Sequence, residues 1–161
     1  MIDIGKILGA DVPPCLAKQT VFAEGIGEIL VPVEVKEKLY LLIIKPEFSC
    51  STKKMFEKID SNSDQYVDKS DITKKAIEAL KTDNIQLLSE TVFNKFEEAL
   101  EENEKQIVDS TKKELLNNGA VAALMTGSGS CVCGIYRTRK DLKKAYNVLK
   151  DRYEAYVSMT Y

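Results

Sequence analysis

Apolar positions recur along the chain with two different periods, and the switches between them mark out the elements. Thr20-Val21-Phe22 and Ile29-Leu30-Val31 are short strand-like runs flanking Glu24-Gly25-Ile26-Gly27-Glu28, whose two glycines suit a tight turn or bulge. Leu39 to Ile44 is an unbroken apolar run of strand length, closed by Lys45-Pro46, and predicts a central strand covered on both faces. A helical half follows. Asn62 to Asp68 is polar and turn-like, Asp71 caps a helix through Leu80, and Asp83 or Asn84 opens another. In that second helix Ile85, Leu88, Val92, Phe93, Phe96 and Leu100 fall at three- and four-residue steps. Glu97-Glu98 and Glu101-Glu102 form its hydrated side. A further helix carries Ile107, Val108, Thr111 and Leu115 and ends at Asn118-Gly119.

The shorter period then returns. Ala120 to Met125 and Cys131 to Tyr136 are apolar strands joined by Thr126-Gly127-Ser128-Gly129-Ser130. Thr138-Arg139-Lys140-Asp141 has the form of a capping box and opens a helix through Lys150. Tyr153, Ala155, Val157, Met159 and Tyr161 alternate as one face of a last strand. At the other end, Ile2 to Leu8 is a short helix, expected to stop at Gly9-Ala10-Asp11-Val12-Pro13-Pro14. Two prolines interrupt it there, and Val12 is pushed towards an extended conformation. The order of elements predicts an α+β fold, an antiparallel sheet with helices packed on it.

With 161 residues, 44% apolar and 30% charged, the chain has the balance of a globular protein that needs no metal or disulfide staple. It contains no histidine, which removes Ser-His-Asp and Cys-His catalysis and any histidine-containing zinc site from these residues. A net charge of −2 gives no basic excess pointing to nucleic acid. The longest apolar run, Leu39 to Ile44, is far short of the ~20 residues a membrane helix needs. No stretch reads as a secretory leader. A cytoplasmic location, no membrane partner and free thiols at Cys15, Cys50, Cys131 and Cys133 are expected. Cys131-Val132-Cys133 lacks the two-residue spacing of a redox or zinc pair and reads as small buried side chains.

Two places depart from the logic of a packed domain. Asp11, set between flexible Gly9-Ala10 and rigid Pro13, is either a turn or capping residue, or a carboxylate that accepts a substrate proton or helps hold a metal. Thr126 to Ser130 is either a hairpin turn or a loop whose backbone N–H groups and hydroxyls meet an anion. No Walker lysine motif is present.

Taken in order, GADVP at Gly9 to Pro13, AEGIGE at Ala23 to Glu28, KPEFSCST at Lys45 to Thr52 and NNGAVAALMTGSGSCVCGIY at Asn117 to Tyr136 resemble one family. It is the 4-diphosphocytidyl-2-C-methyl-D-erythritol kinase family, of the galactokinase–homoserine kinase–mevalonate kinase superfamily. The match runs over essentially all the residues here but only about the second half of a usual member. The resemblance implies transfer of the ATP γ-phosphoryl group to the 2-hydroxyl of a cytidyl-linked sugar alcohol, in the non-mevalonate isoprenoid route. It implies Asp11 as proton acceptor, Thr52 close to substrate, and Gly127, Ser128 and Gly129 beside the phosphates or substrate. ATP and Mg2+ are the implied cofactors, and the small-molecule substrate the implied partner.

The family's Gly-rich ATP loop and partner lysine have no counterpart among these residues, and the loop is expected upstream of Met1. Residues 1–36 are therefore expected to be the tail of an N-terminal catalytic domain, with 37–161 a C-terminal kinase domain able to close its own core. The polypeptide alone is expected to be inactive and to need a separate N-terminal half, and an apolar face left by that half favours self-association. The competing expectation is a non-catalytic remnant, or an α+β module binding a small anion or a protein. Lys18-Gln19 stands where many relatives have Gly-Gly, and Pro14 where an aromatic or smaller apolar residue is usual.

Overall fold

The structure, a computed structural model, describes Gly9, residues 12–25, 27–61 and 70–160. Met1, the expected helix at Ile2 to Leu8, the turn at Asn62 to Asp68 and the last strand's Tyr161 lie outside the described residues. Prolines 13 and 14, expected to end a helix, instead sit in the first turn of one, α1 (Val12–Ala17). First-turn N–H groups have no intrahelical acceptor, so an imino acid loses nothing there, and its fixed φ suits the helix. Lys18, directly after α1, takes a φ of 50°, the left-handed region in which many helices end. A lysine thus stands at a position whose backbone favours glycine.

Strands β1 (Val21–Glu24) and β2 (Ile29–Pro32) pair antiparallel as a hairpin, Val21 opposite Pro32 and Glu24 opposite Ile29. This two-stranded sheet is separate from the main one. The main sheet begins at β3 (Tyr40–Lys45) and continues after the helices with β4 (Ala122–Met125), β5 (Val132–Tyr136) and β6 (Glu154–Met159), in spatial order β4-β5-β3-β6 and antiparallel throughout. Between β3 and β4 lie α2 (Thr52–Ser61), α3 (Ser70–Thr82), α4 (Ile85–Thr91), a 3-10 segment (Lys95–Ala99) and α5 (Glu102–Asn117); α6 (Arg139–Leu149) joins β5 to β6. The α+β architecture is as the periodicity predicts.

β3 is central, and both its faces are covered. Leu42 and Ile44 pack with Val108 and Leu115 of α5 and with Leu142, Ala145 and Leu149 of α6. Leu39 and Leu41 pack with Ala79 of α3, Leu88 of α4 and Ile135. A strand covered on both sides needs side chains that are apolar at every position, hence the unbroken run. Gly134 of β5 lies so close under α5 that a Cβ there would stand 2.9 Å from the Leu115 Cδ2. The backbone of the sheet meets the helix directly at that point.

Two helical expectations need correction. The helix read from Asp83 or Asn84 to Leu100 is broken: α4 stops at Thr91, Val92 to Asn94 are not helical, and a 3-10 segment follows. Thr91 bonds its hydroxyl back to the Leu87 carbonyl at 2.8 Å, and the Asn94 side chain caps the new start by accepting from Phe96 N–H at 3.0 Å. The apolar spacing continues across the break, but the core changes: Ile85, Leu88 and Val92 pack with Leu39 and Ala79, whereas Phe96, Ala99 and Leu100 pack with the cluster around Leu42 and Ile44. The acidic run is not uniformly hydrated either. Glu97 is only partly exposed, accepting from Lys112 Nζ at 2.6 Å and from Met125 N–H at 2.7 Å.

β6 keeps the predicted alternation, since Ala155, Val157 and Met159 lie opposite Ile44, Leu42 and Tyr40. Yet Val157 and Met159 remain more than half exposed, because β6 is an edge and α6 covers only its inner part. All four cysteines are free thiols; Cys131 and Cys133, expected to be buried, are half-buried, and Cys15 is exposed. Among the described residues no helix is long and apolar enough to cross a membrane.

Candidate functional site

Two segments named from the sequence meet at one end of the main sheet. The first leaves β3 through Lys45-Pro46 and starts α2 at Thr52; the second is the β4–β5 connection, 126–130. They touch through side chains, with Thr52 Oγ1 and Ser128 Oγ 2.8 Å apart across 76 positions of sequence. The structure therefore brings together Thr52, Gly127, Ser128 and Gly129. Asp11, the expected proton acceptor, lies outside the described residues.

The connection 126–130 is a built loop with its own fixings. Thr126 N–H donates to Cys131 O at 2.8 Å and Gly129 N–H to Thr126 O at 3.1 Å, closing the turn. Gly127 and Gly129 take φ values of 58° and 94°, a region that costs side-chain-bearing residues energy. Gly129 is doubly constrained. A Cβ there would stand 2.8 Å from Met125 Sδ and 2.9 Å from Cys50 Sγ, so the two loops close on a position with no room for a side chain.

Four residues to which the sequence reading gave no role of their own, Lys45, Ser130, Asn94 and Glu97, hold the arrangement. Lys45 Nζ donates to Pro46 O at 2.8 Å, Phe48 O at 2.6 Å and Ser130 Oγ at 2.9 Å, using all three ammonium protons on the two segments. Buried Ser130 passes its own proton to Phe48 O. Asn94, in the interruption between α4 and the 3-10 segment, donates through Nδ2 to Met125 O at 2.7 Å and Gly127 O at 2.8 Å. Glu97 fixes Met125 N–H from the same side. Lys45 had a visible sign in the sequence, a lysine at the end of a buried strand beside a proline. Asn94 had none, because its place in an apolar helical pattern disguised it.

Electrostatically the site is lined by donors. The N–H groups of Gly127 and Ser128 take no protein acceptor among the described residues, and the hydroxyls of Thr52 and Ser128 reach the surface beside them. The Lys45 charge lies beneath. Burial pushes the Cys50 thiol above its ordinary pKa, with the Glu104 carboxylate adding and Lys45 and Lys58 opposing, so at neutral pH it is an uncharged packing group. A donor-rich loop on glycines, over a lysine, suits an anion such as a phosphate. Among the described residues no cluster of three Cys, Asp or Glu could hold a metal ion.

Residues 76–155 match the family model described as GHMP kinases C terminal. The chain is 36% identical over 158 residues to the 4-diphosphocytidyl-2-C-methyl-D-erythritol kinase of Clostridium tetani, covering 98% of this chain and 55% of that protein. It is 34% identical over 154 residues to the enzyme of the same name from Alkaliphilus metalliredigens, covering 96% and 52%. A solved 4-(cytidine 5'-diphospho)-2C-methyl-D-erythritol kinase superimposes with a TM-score of 0.77 over 98% of this chain and 56% of its own, at 21% identity. A homoserine kinase from Cytophaga hutchinsonii does so with a TM-score of 0.69 over 93% and 50%, at 19% identity. At those identities the two structures speak for the fold alone.

The sheet, its helices and the loop thus define a C-terminal domain of the GHMP kinase superfamily. Within it, the chain belongs to the 4-diphosphocytidyl-2-C-methyl-D-erythritol kinase family, of which it is the C-terminal half. It spans about half the length of the curated relatives it matches.

Proposed function

We propose that these 161 residues are the C-terminal part of an ATP-dependent kinase acting on the 2-hydroxyl of 4-diphosphocytidyl-2-C-methyl-D-erythritol, in non-mevalonate isoprenoid precursor synthesis. The observation that carries this reading is the Thr52–Ser128 contact at 2.8 Å. It joins the two motif segments so that their hydroxyls and amides lie on one surface. In this reading residues 37–161 are the C-terminal kinase domain and residues 1–36 continue an N-terminal catalytic domain, whose Gly-rich ATP loop precedes Met1.

The roles follow from the chemistry of each group. Gly127, Ser128 and Gly129 orient phosphate oxygens through N–H and hydroxyl donors, and the Lys45 charge beneath them favours the anion. Thr52 hydrogen-bonds substrate from the facing segment. Asp11 accepts the proton of the attacking hydroxyl. ATP would supply the phosphoryl group, together with the Mg2+ that the family resemblance implies.

Phosphoryl transfer is accelerated mainly by positioning and charge stabilisation, to which a lone general base adds only ~10²–10⁴-fold. The 161-residue polypeptide by itself is therefore expected to be inactive. The test is a coupled ATP-turnover assay with the cytidyl-linked sugar alcohol, run on the polypeptide alone and after joining it to a segment bearing the Gly-rich loop and partner lysine. No turnover alone and turnover after joining is the expected pattern, with Asp11→Asn lowering kcat by about 100-fold and Ser128→Ala raising KM. Turnover by the polypeptide alone would overturn the claim of inactivity. Undiminished activity of Asp11→Asn would remove that residue from the mechanism. A joined protein that folds and binds ATP without phosphorylating this substrate would sink the proposed reaction.

A further inference from the structure

On the far side of β3 from β5, β6 forms one edge of the main sheet. It pairs with β3 on one side and with no strand among the described residues on the other. An open edge offers a row of N–H and C=O groups to any extended segment, and proteins commonly guard such edges with lysine, proline or a bulge. β6 carries none of these. Its sequence is Glu154-Ala155-Tyr156-Val157-Ser158-Met159, and Tyr156, Val157 and Met159 are 55%, 54% and 56% exposed.

What lies beside the edge selects the occupant. Val157 and Met159 share the face covered by α6, and with Leu142 they form the apolar floor of a cavity of about 450 Å³. Lys38 and Arg139 line the same cavity. Arg139 also opens onto a second hollow of about 500 Å³, lined by Lys140, Lys143 and Lys144. None of these five cations has an ion-pair or hydrogen-bond partner for its side chain among the described residues. The one carboxylate within α6, Asp141, is turned to its own helix start, accepting from the Thr138 hydroxyl at 2.6 Å. In a chain of net charge −2, five unpaired cations beside one open strand form a local excess of positive charge.

We propose that the outer edge of β6 is a docking site for an extended acidic peptide segment, which adds to the sheet as a further strand. Its backbone pairs with β6. Its alternate side chains point to the α6 side, where carboxylates meet Arg139, Lys38 and Lys143, while the intervening apolar ones lie on the opposite face beside Tyr156. A second copy of β6 fits less well. Two-fold pairing of identical edges would set two cationic α6 rows against each other on one face, like charge against like. An uncharged strand would satisfy the backbone and leave the cations unused.

The test uses the 161-residue chain and a fluorescently labelled peptide of about ten residues alternating Glu and Val, long enough to span the edge. Two companion peptides carry Lys in place of Glu, or Pro in place of alternate Val. Saturable binding of the Glu–Val peptide is expected, with backbone amide NMR shifts centred on 154–160. Binding should weaken about tenfold in the double variant Arg139→Glu, Lys143→Glu, as two exposed ion pairs become repulsions. Both positions are exposed, and an acidic residue in the first turn of α6 suits the helix dipole, so an unchanged circular dichroism spectrum is expected of that variant. The Pro peptide should not bind, since it cannot pair along the strand. Equal binding of the Pro or Lys peptide, indifference to the double variant, or shifts away from β6 would each overturn the proposal. So would capture of vesicles of equal phosphatidylserine and phosphatidylcholine with no peptide binding, or dimerisation through 154–160.

Discussion

The ammonium group of Lys45 lies 2.9 Å from the hydroxyl of Ser130, and through that contact the exit of β3 is fastened to the end of the 126–130 loop. Lys45→Met nearly keeps the length of the side chain but removes every donor, depriving the Pro46 carbonyl of the ammonium and leaving the Phe48 carbonyl only its bond from the Ser130 hydroxyl. Loss of charge-assisted bonds of this kind costs about 2 kcal/mol. Urea unfolding should show the midpoint falling at unchanged m, with anion binding at the loop weakened in the same variant.

The two loop glycines should respond unequally to alanine. Both have positive φ, a cost of about 1 kcal/mol for a residue with a Cβ. Only at Gly129 would the new methyl also press on Met125 and Cys50, whereas at Gly127 nothing lies within 4 Å. Gly129→Ala is expected to destabilise by about 2–3 kcal/mol and Gly127→Ala by about 1. Equal losses in thermal or urea unfolding would show that the loop has slack at Gly129.

Lys18 has the same backbone preference without the residue that suits it. Lys18→Gly removes the left-handed penalty at the end of α1 and gives back part of it as greater freedom of the unfolded chain. A net gain of about 0.5 kcal/mol is expected. Amide exchange in residues 12–18 would slow slightly, while exchange in β3 would not change.

Burial raises the Cys133 thiol from its ordinary value of 9.0 to about 11. The folded chain therefore holds this proton between pH 9 and 11 while the unfolded chain has released it. Since the folded state binds more protons in that window, stability falls as pH rises through it and is unaffected by this group below pH 9. Tyr136 is shifted upward by burial and acts in the same direction at higher pH. Unfolding midpoints measured across this range should decline, and Cys133→Ala should flatten the part between pH 9 and 11. A thiol reagent near pH 8 should modify exposed Cys15 well before Cys133.

Much of this was legible in the sequence because each feature has a local cause. An unbroken apolar run means two covered faces, which is what β3 has. Asn84 and Thr138 cap helices by accepting from the amide three residues on, at 3.0 and 3.1 Å. Gly119 follows α5 with positive φ. The illegible parts have causes distant in the chain. Whether Asn94 continues a helix or leaves it is decided by carbonyls at Met125 and Gly127, more than thirty positions away. Glu97 resembles its acidic neighbours until Lys112 and Met125 are placed beside it. The prolines of α1 misled for a different reason, since proline ends a helix from within but begins one readily. For the candidate site, the family resemblance implied Thr52 and 127–129, which the fold brings together; of the residues that hold them in place, Lys45 had a sign in the sequence and Asn94 had none.

The short gap between α4 and the 3-10 segment has a practical consequence for anyone redesigning this domain. Mending it, by replacing Val92, Phe93 and Asn94 with strong helix formers, would satisfy every local rule and yield a longer, tidier rod. It would also swing the one amide that clasps the glycine turn away from it. A more regular molecule would then present a looser grip.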